Sequence, residues 1–213
     1  MKSEFSFYDF VGVVAPGALV LFGATYLFPA IGEFKSLPNM ELGGLGVFAA
    51  LAYVAGQLMQ AVGNVIESIY WRSWGGMPSQ WVLKGKLLSA SQLKRLGDVA
   101  TARFGIPDLG SANPKGWYSI SREINARVIS AGRERRLNVF NGNYGLMRGI
   151  AAAALVLVVA TLAIKGTPAW RAEALLAGAA GVALYRMHRF GVNYARELFV
   201  QYLDLDLCAP KPS

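Results

Sequence analysis

Five polar side chains, Tyr53, Gln57, Gln60, Asn64 and Glu67, interrupt the apolar stretch "AYVAGQLMQAVGNVIESIYWRSW" of residues 52–74 at spacings of 4, 3, 4 and 3. With 3.6 residues per turn, this pattern stacks them along one face of a helix. Amides and a carboxylate facing lipid would leave hydrogen-bonding groups unsatisfied, so such a seam calls for water or another helix against it. Two kinds of chemistry are open. The seam can line a hydrated path around an axis shared by several subunits, with Glu67 forming a cation-attracting ring at its inner mouth. Alternatively it is a hydrogen-bonded contact inside one bundle, because the same spacing is that of coiled-coil packing.

A second set of residues suits anions. Lys84, Lys86, Lys94 and Arg95 lie in "KGKLLSASQLKR", and Arg133, Arg135 and Arg136 in "GRERRL". Guanidinium forks and ammonium groups at this density can take the phosphates of a nucleotide or oligonucleotide signal. They equally fit the excess of basic residues in cytoplasmic loops and its attraction to anionic head groups. Catalysis finds little to work with: there is one His, one Cys (Cys208), no phosphate-binding loop and no metal-ligand spacing. No cofactor, metal site or enzymatic activity is expected.

The elements that must carry these residues are set by composition. Of 213 residues 54% are hydrophobic and 16% charged, well below the roughly 25% charged residues of soluble domains, which indicates a membrane protein. Apolar runs at about 10–32, 43–63, 149–164 and 170–185 approach the ~20 residues that cross a hydrocarbon core, so four transmembrane helices are expected. The first is expected to remain as an anchor rather than be cleaved. Pro16, about two turns in, should kink it. Residues 68–148 hold 13 basic and 4 acidic side chains, a net of +9 that accounts for the whole +8 of the chain. This imbalance places the segment and both termini in the cytoplasm.

Local signals place helices within that segment. Ser89 with Gln92 forms a capping box, Leu88 and Leu93 can staple it, and Gly105 with Pro107 stops the helix. A second helix is expected over 118–137, with Ile120, Ile124 and Val128 on one face and "GRERRL" at its C-terminal end, where cations favour the helix dipole. "FNGNYG" reads as a turn into the third span, at whose edge Arg148 can snorkel. In the fourth, Gly178 or the Ala177/Gly181 pair can allow close helix contact. Arg186, His188 and Arg189 read as its snorkelling inner end, with a gating contact to Asp9 the weaker alternative.

The opening "FYDFVGVVAPGALVL", with Phe7, Tyr8, Asp9, Phe10, Gly12, Pro16 and Gly17, and the closing "YRMHRFGVNYARELFVQY" resemble the ends of small multi-pass bacterial membrane proteins of anti-phage defence systems, among them the Hailong channel effector and the Kiwa membrane sensor. The resemblance covers two short stretches and none of the middle. It implies a homo-oligomeric membrane effector, kept closed until infection and then depolarising the cell.

The expectation is therefore an all-α inner-membrane protein with four spans. It divides into the first two transmembrane helices (1–66), a basic helical cytoplasmic insertion (67–148), the last two transmembrane helices (149–190), and a cytoplasmic C-terminal helix and tail (191–213). Its expected function is that of an oligomeric channel or pore-forming effector gated through the cytoplasmic part. A non-conducting membrane sensor or scaffold that recruits a cytoplasmic protein is the alternative, with a small transporter third. The expected partners are the lipid bilayer, further copies of the chain, and an anionic signal or a cytoplasmic protein.

Overall fold

The computed structural model describes residues 7–29, 41–166 and 169–208, leaving aside the side chains of 7–9, 41–43 and 208. Among the described residues six α-helices follow in order: α1 (Phe7–Leu27), α2 (Glu41–Ser73), α3 (Ala90–Phe104), α4 (Pro114–Ser130), α5 (Arg135–Lys165) and α6 (Trp170–Cys208), with short 3-10 turns at Pro78–Lys84 and Leu109–Ser111. There is no strand among the described residues, so the all-α expectation holds. The loop after α1 expected on the outer side, the side chain of Asp9 and that of Cys208 fall outside the described residues.

Among the described residues three stretches, Phe10–Leu27, Gly44–Lys84 and Arg135–Lys165, are long and apolar enough to cross a membrane. The expected fourth lies at the start of α6. Its charge-free run, 174–185, is bracketed by Arg171 and Glu173 on one side and Arg186 and Arg189 on the other. That is short of the ~20 residues a hydrocarbon core requires.

The chain divides into two compact units, one of Met1–Ile69 with Gly142–His188 and the other of Tyr70–Asn141 with Arg189–Ser213. In the first, glycine brings backbones together. A Cβ on Gly17 would fall onto the Ala52 carbonyl and one on Gly56 onto the Val13 carbonyl, so α1 and α2 touch main chain to main chain there. Gly149 of α5 makes room for Pro16, whose ring carbon would lie 2.6 Å from a Cβ at that position. Helix α1 continues through buried Pro16 to Leu27. Close contact through small residues gives helices in lipid the van der Waals packing that hydrophobic exclusion cannot supply there. At the small residues of the last helix, a Cβ on Gly178 or Gly181 would meet nothing within 4 Å among the described residues.

The second unit has an ordinary globular core of Val82, Leu96, Val99, Trp117, Ile124, Val128, Leu137, Leu198, Phe199, Tyr202 and Leu203. Trp117 stacks on Phe199 with ring centroids 5.9 Å apart, and its indole N–H donates to the Ser79 carbonyl at 2.8 Å, satisfying its one polar atom. Helix α3 begins and ends where its local signals direct: Ser89 and Gln92 close the capping box and Gly105 is left-handed with φ 65. Helix α4 departs from expectation. It ends at Ser130 before Gly132, which turns the chain at φ 73, so Arg135 and Arg136 open α5 rather than close a helix. "FNGNYG" is no turn either, since α5 is helical throughout those residues.

Candidate functional site

The seam on α2 spans about 80° of helix circumference when laid out at 100° per residue, with Gln57 and Asn64 at one edge, Tyr53 between and Gln60 and Glu67 at the other. That width splits it. Gln60 and Glu67 are half-buried, whereas Tyr53, Gln57 and Asn64 are exposed. The five residues share one face but not one environment.

The inner edge of the seam meets α5. Arg148 donates through Nη1 to Glu67 Oε2 at 2.5 Å and through Nη2 to Gln60 Oε1 at 2.9 Å. The Tyr144 hydroxyl, one turn earlier on the same face of α5, donates to Glu67 Oε1 at 2.7 Å. Gln60 Nε2 in turn donates to the carbonyls of Gly12 on α1 and Gly145 on α5, at 2.8 and 3.2 Å. One amide therefore joins three helices. Glycines make this possible. A Cβ on Gly63 would lie 3.1 Å from Arg148 Cγ, and one on Gly149 only 2.8 Å from Gln60 Nε2. In the Asn- and Gly-rich stretch that resembles a turn, Gly145 contributes only its carbonyl, since a Cβ there would meet nothing within 4 Å.

Electrostatically the cluster is closed. Arg148 and Glu67 retain 20% and 15% side-chain exposure and neutralise each other. Both Glu67 oxygens accept a hydrogen bond, and the Arg148 Nε is the one buried nitrogen of the group without a partner among the described residues. Removing one member of such a pair leaves an uncompensated charge, at a cost of about 3–5 kcal/mol. Arg148 thus turns inward to a carboxylate rather than outward to the interface. The sequence carried no signal for this turn, since Tyr144 and Arg148 at one-turn spacing fit either orientation.

The outer edge differs. No hydrogen bond is made by the side chains of Tyr53, Gln57 or Asn64 among the described residues, and their neighbours Val54, Leu58 and Val65 are 58–62% exposed. A polar edge stands on an otherwise apolar surface.

The basic residues lie in the second unit, and several are already engaged. Arg133 pairs with Asp204 and Arg136 with Glu197 at 3.4 Å, Arg95 donates to the Leu203 carbonyl at 2.8 Å, and Lys84 donates to the Gly75 carbonyl at 2.8 Å. Arg103, not singled out by the sequence, pairs with Asp206 at 2.7 Å. The "GRERRL" cluster is thus largely answered by acids of the last helix. Lys86, Lys94 and Arg135 are exposed.

The chain matches no protein-family model, no curated protein and no solved structure.

Proposed function

We propose that the protein is a homo-oligomeric channel of the bacterial inner membrane, assembled through the outer edge of α2 and controlled through its second unit. The observation that carries this is the exposed pair Gln57 and Asn64, at the opposite edge of the seam from the closed Glu67–Arg148 cluster and flanked by exposed apolar residues. Two amides facing hydrocarbon are each costly, and water or the same edge of another copy relieves that cost. Around a common axis Tyr53, Gln57 and Asn64 line the path, while Gln60, Glu67 and Arg148 brace its wall. Glu67 then acts as a brace instead of a bare carboxylate ring, because its charge is neutralised within the subunit. Four crossings, with α6 supplying the last and both termini inside, complete the proposed topology. The role in anti-phage defence by membrane depolarisation rests on the resemblance of the two chain ends.

The second reading, a non-conducting sensor or scaffold, is favoured by that same neutralisation of Glu67. Flux separates them. Proteoliposomes of the native chain should pass cations, and Gln57→Leu with Asn64→Leu should abolish the flux while the protein remains inserted. Native protein that passes no more than empty liposomes would leave the scaffold reading in its place.

A further inference from the structure

The segment from the end of α2 through the following loop into α3 combines three properties. From Ser68 to Gly97 there is no acidic residue, while Arg72, Lys84, Lys86, Lys94 and Arg95 are basic and Tyr70, Trp71, Trp74 and Trp81 aromatic. The aromatic residues form a connected group, Tyr70 against Trp71 at 5.2 Å and Trp74 at 6.2 Å, and Trp71 against Trp81 at 6.0 Å. Yet they do not share one environment: Trp71 is buried at 2% exposure, whereas Trp74 is 55% exposed.

The backbone fixes where the cations stand. Gly75 and Gly76, at φ 78 and 110, reverse the chain directly after α2. The Trp81 indole N–H ties the returning segment to the Gly76 carbonyl at 3.0 Å, and the Lys84 ammonium donates to the Gly75 carbonyl at 2.8 Å. Lys84 is thereby folded back beside the end of an apolar helix. Arg72 and Lys86 are exposed, as are Trp74 and Met77. Indole rings favour the boundary between apolar and polar layers, and ammonium and guanidinium groups nearby are drawn to anionic head groups.

We propose that this loop is a docking element for anionic phospholipid, in which Arg72, Lys84 and Lys86 take the head-group phosphate and Trp74 with Met77 enters the interfacial layer. The absence of any carboxylate over thirty residues is the complementarity that selects an anionic over a zwitterionic lipid. Elsewhere in the same unit arginines are answered by Asp204, Asp206 and Glu197. The loop has no such internal acid.

The test uses the full-length protein in nanodiscs of phosphatidylcholine doped with a small fraction of brominated phosphatidylglycerol or brominated phosphatidylcholine, reading tryptophan quenching. The brominated anionic lipid should quench several-fold more than its zwitterionic counterpart at equal mole fraction. Trp74→Phe should remove most of that excess. Arg72→Gln, Lys84→Gln and Lys86→Gln together should abolish it, and glutamine at 84 retains a donor for the Gly75 carbonyl, so the turn survives. As a control for net charge, Lys115→Gln with Arg122→Gln, two exposed cations of α4, should leave the excess intact. Equal quenching by the two lipids would overturn the proposal, as would equal loss in the control. Binding of a short oligonucleotide to the loop in phosphatidylcholine discs, lost in the triple variant, would overturn it in favour of a nucleic-acid site.

Discussion

At the scale of single residues, the Glu67–Arg148 pair is the sharpest feature, because its two charges are 2.5 Å apart in a region where water screens little. Glu67→Gln and Arg148→Gln should each lower stability by about 3–5 kcal/mol, while the double variant should lose less than either alone, since it leaves no orphaned charge. Thermal melts of the four proteins in one detergent provide that cycle. Independent losses would show that the pair contributes nothing as a pair. Glu67→Gln should also leave the current per assembled channel unchanged, because the carboxylate is spoken for by Arg148 and Tyr144. The sequence exposed Glu67 as a member of a polar face but hid its partner, which lies 81 residues on. A charged residue at the edge of an apolar run looks like a boundary marker whether it points to water or to a carboxylate. Only the packing of α5 on α2 separates the two.

At the scale of elements, residue types with two uses account for the differences between pattern and fold. Helix α3 was legible because its capping box and its left-handed Gly105 act within a few residues. "FNGNYG" was not, because Asn and Gly favour turns yet are also carried within a long packed helix, and here α5 runs through them with the Gly145 carbonyl accepting from Gln60. Gly56→Ala should accordingly be severe, since the added methyl meets the Val13 carbonyl, a backbone atom that cannot swing aside. Loss of the cooperative melt on that change, but not on Gly178→Ala where the space is open, is the expected outcome. In the second unit, burial raises the phenol pKa of Tyr194 and Tyr202, in Tyr202 against the opposing pull of Arg103 and Arg127. An unfolded phenol ionises near 10, so folding stability should be constant below that pH and fall as pH rises beyond it, toward the raised folded values. Tyr194→Phe should shallow the decline. A melting temperature that does not fall on the alkaline side would contradict it.

At the scale of the whole molecule, composition alone indicated helices suited to a membrane, and three such stretches are present. The number of crossings was less legible, because the start of α6 is apolar for only a dozen residues before charge resumes. Reporters inserted within 106–112 and after Ser213 should both read cytoplasmic, and one at Asn39 periplasmic; a periplasmic signal after Ser213 would reduce the spans to three. For assembly the sequence offered a polar face that something must cover, and it left the cover open between another copy and a helix of the same chain. The split of that face into a closed inner edge and an open outer edge narrows the choice to Tyr53, Gln57 and Asn64. The direct test is the current through planar bilayers of a Cys208→Ser, Asn64→Cys variant before and after a cationic, water-soluble thiol reagent, with Val65→Cys as the outward-facing control. The proposed assembly predicts that modification at position 64 blocks the current and modification at 65 does not. A current unchanged after position 64 is fully labelled would contradict a path along this helix.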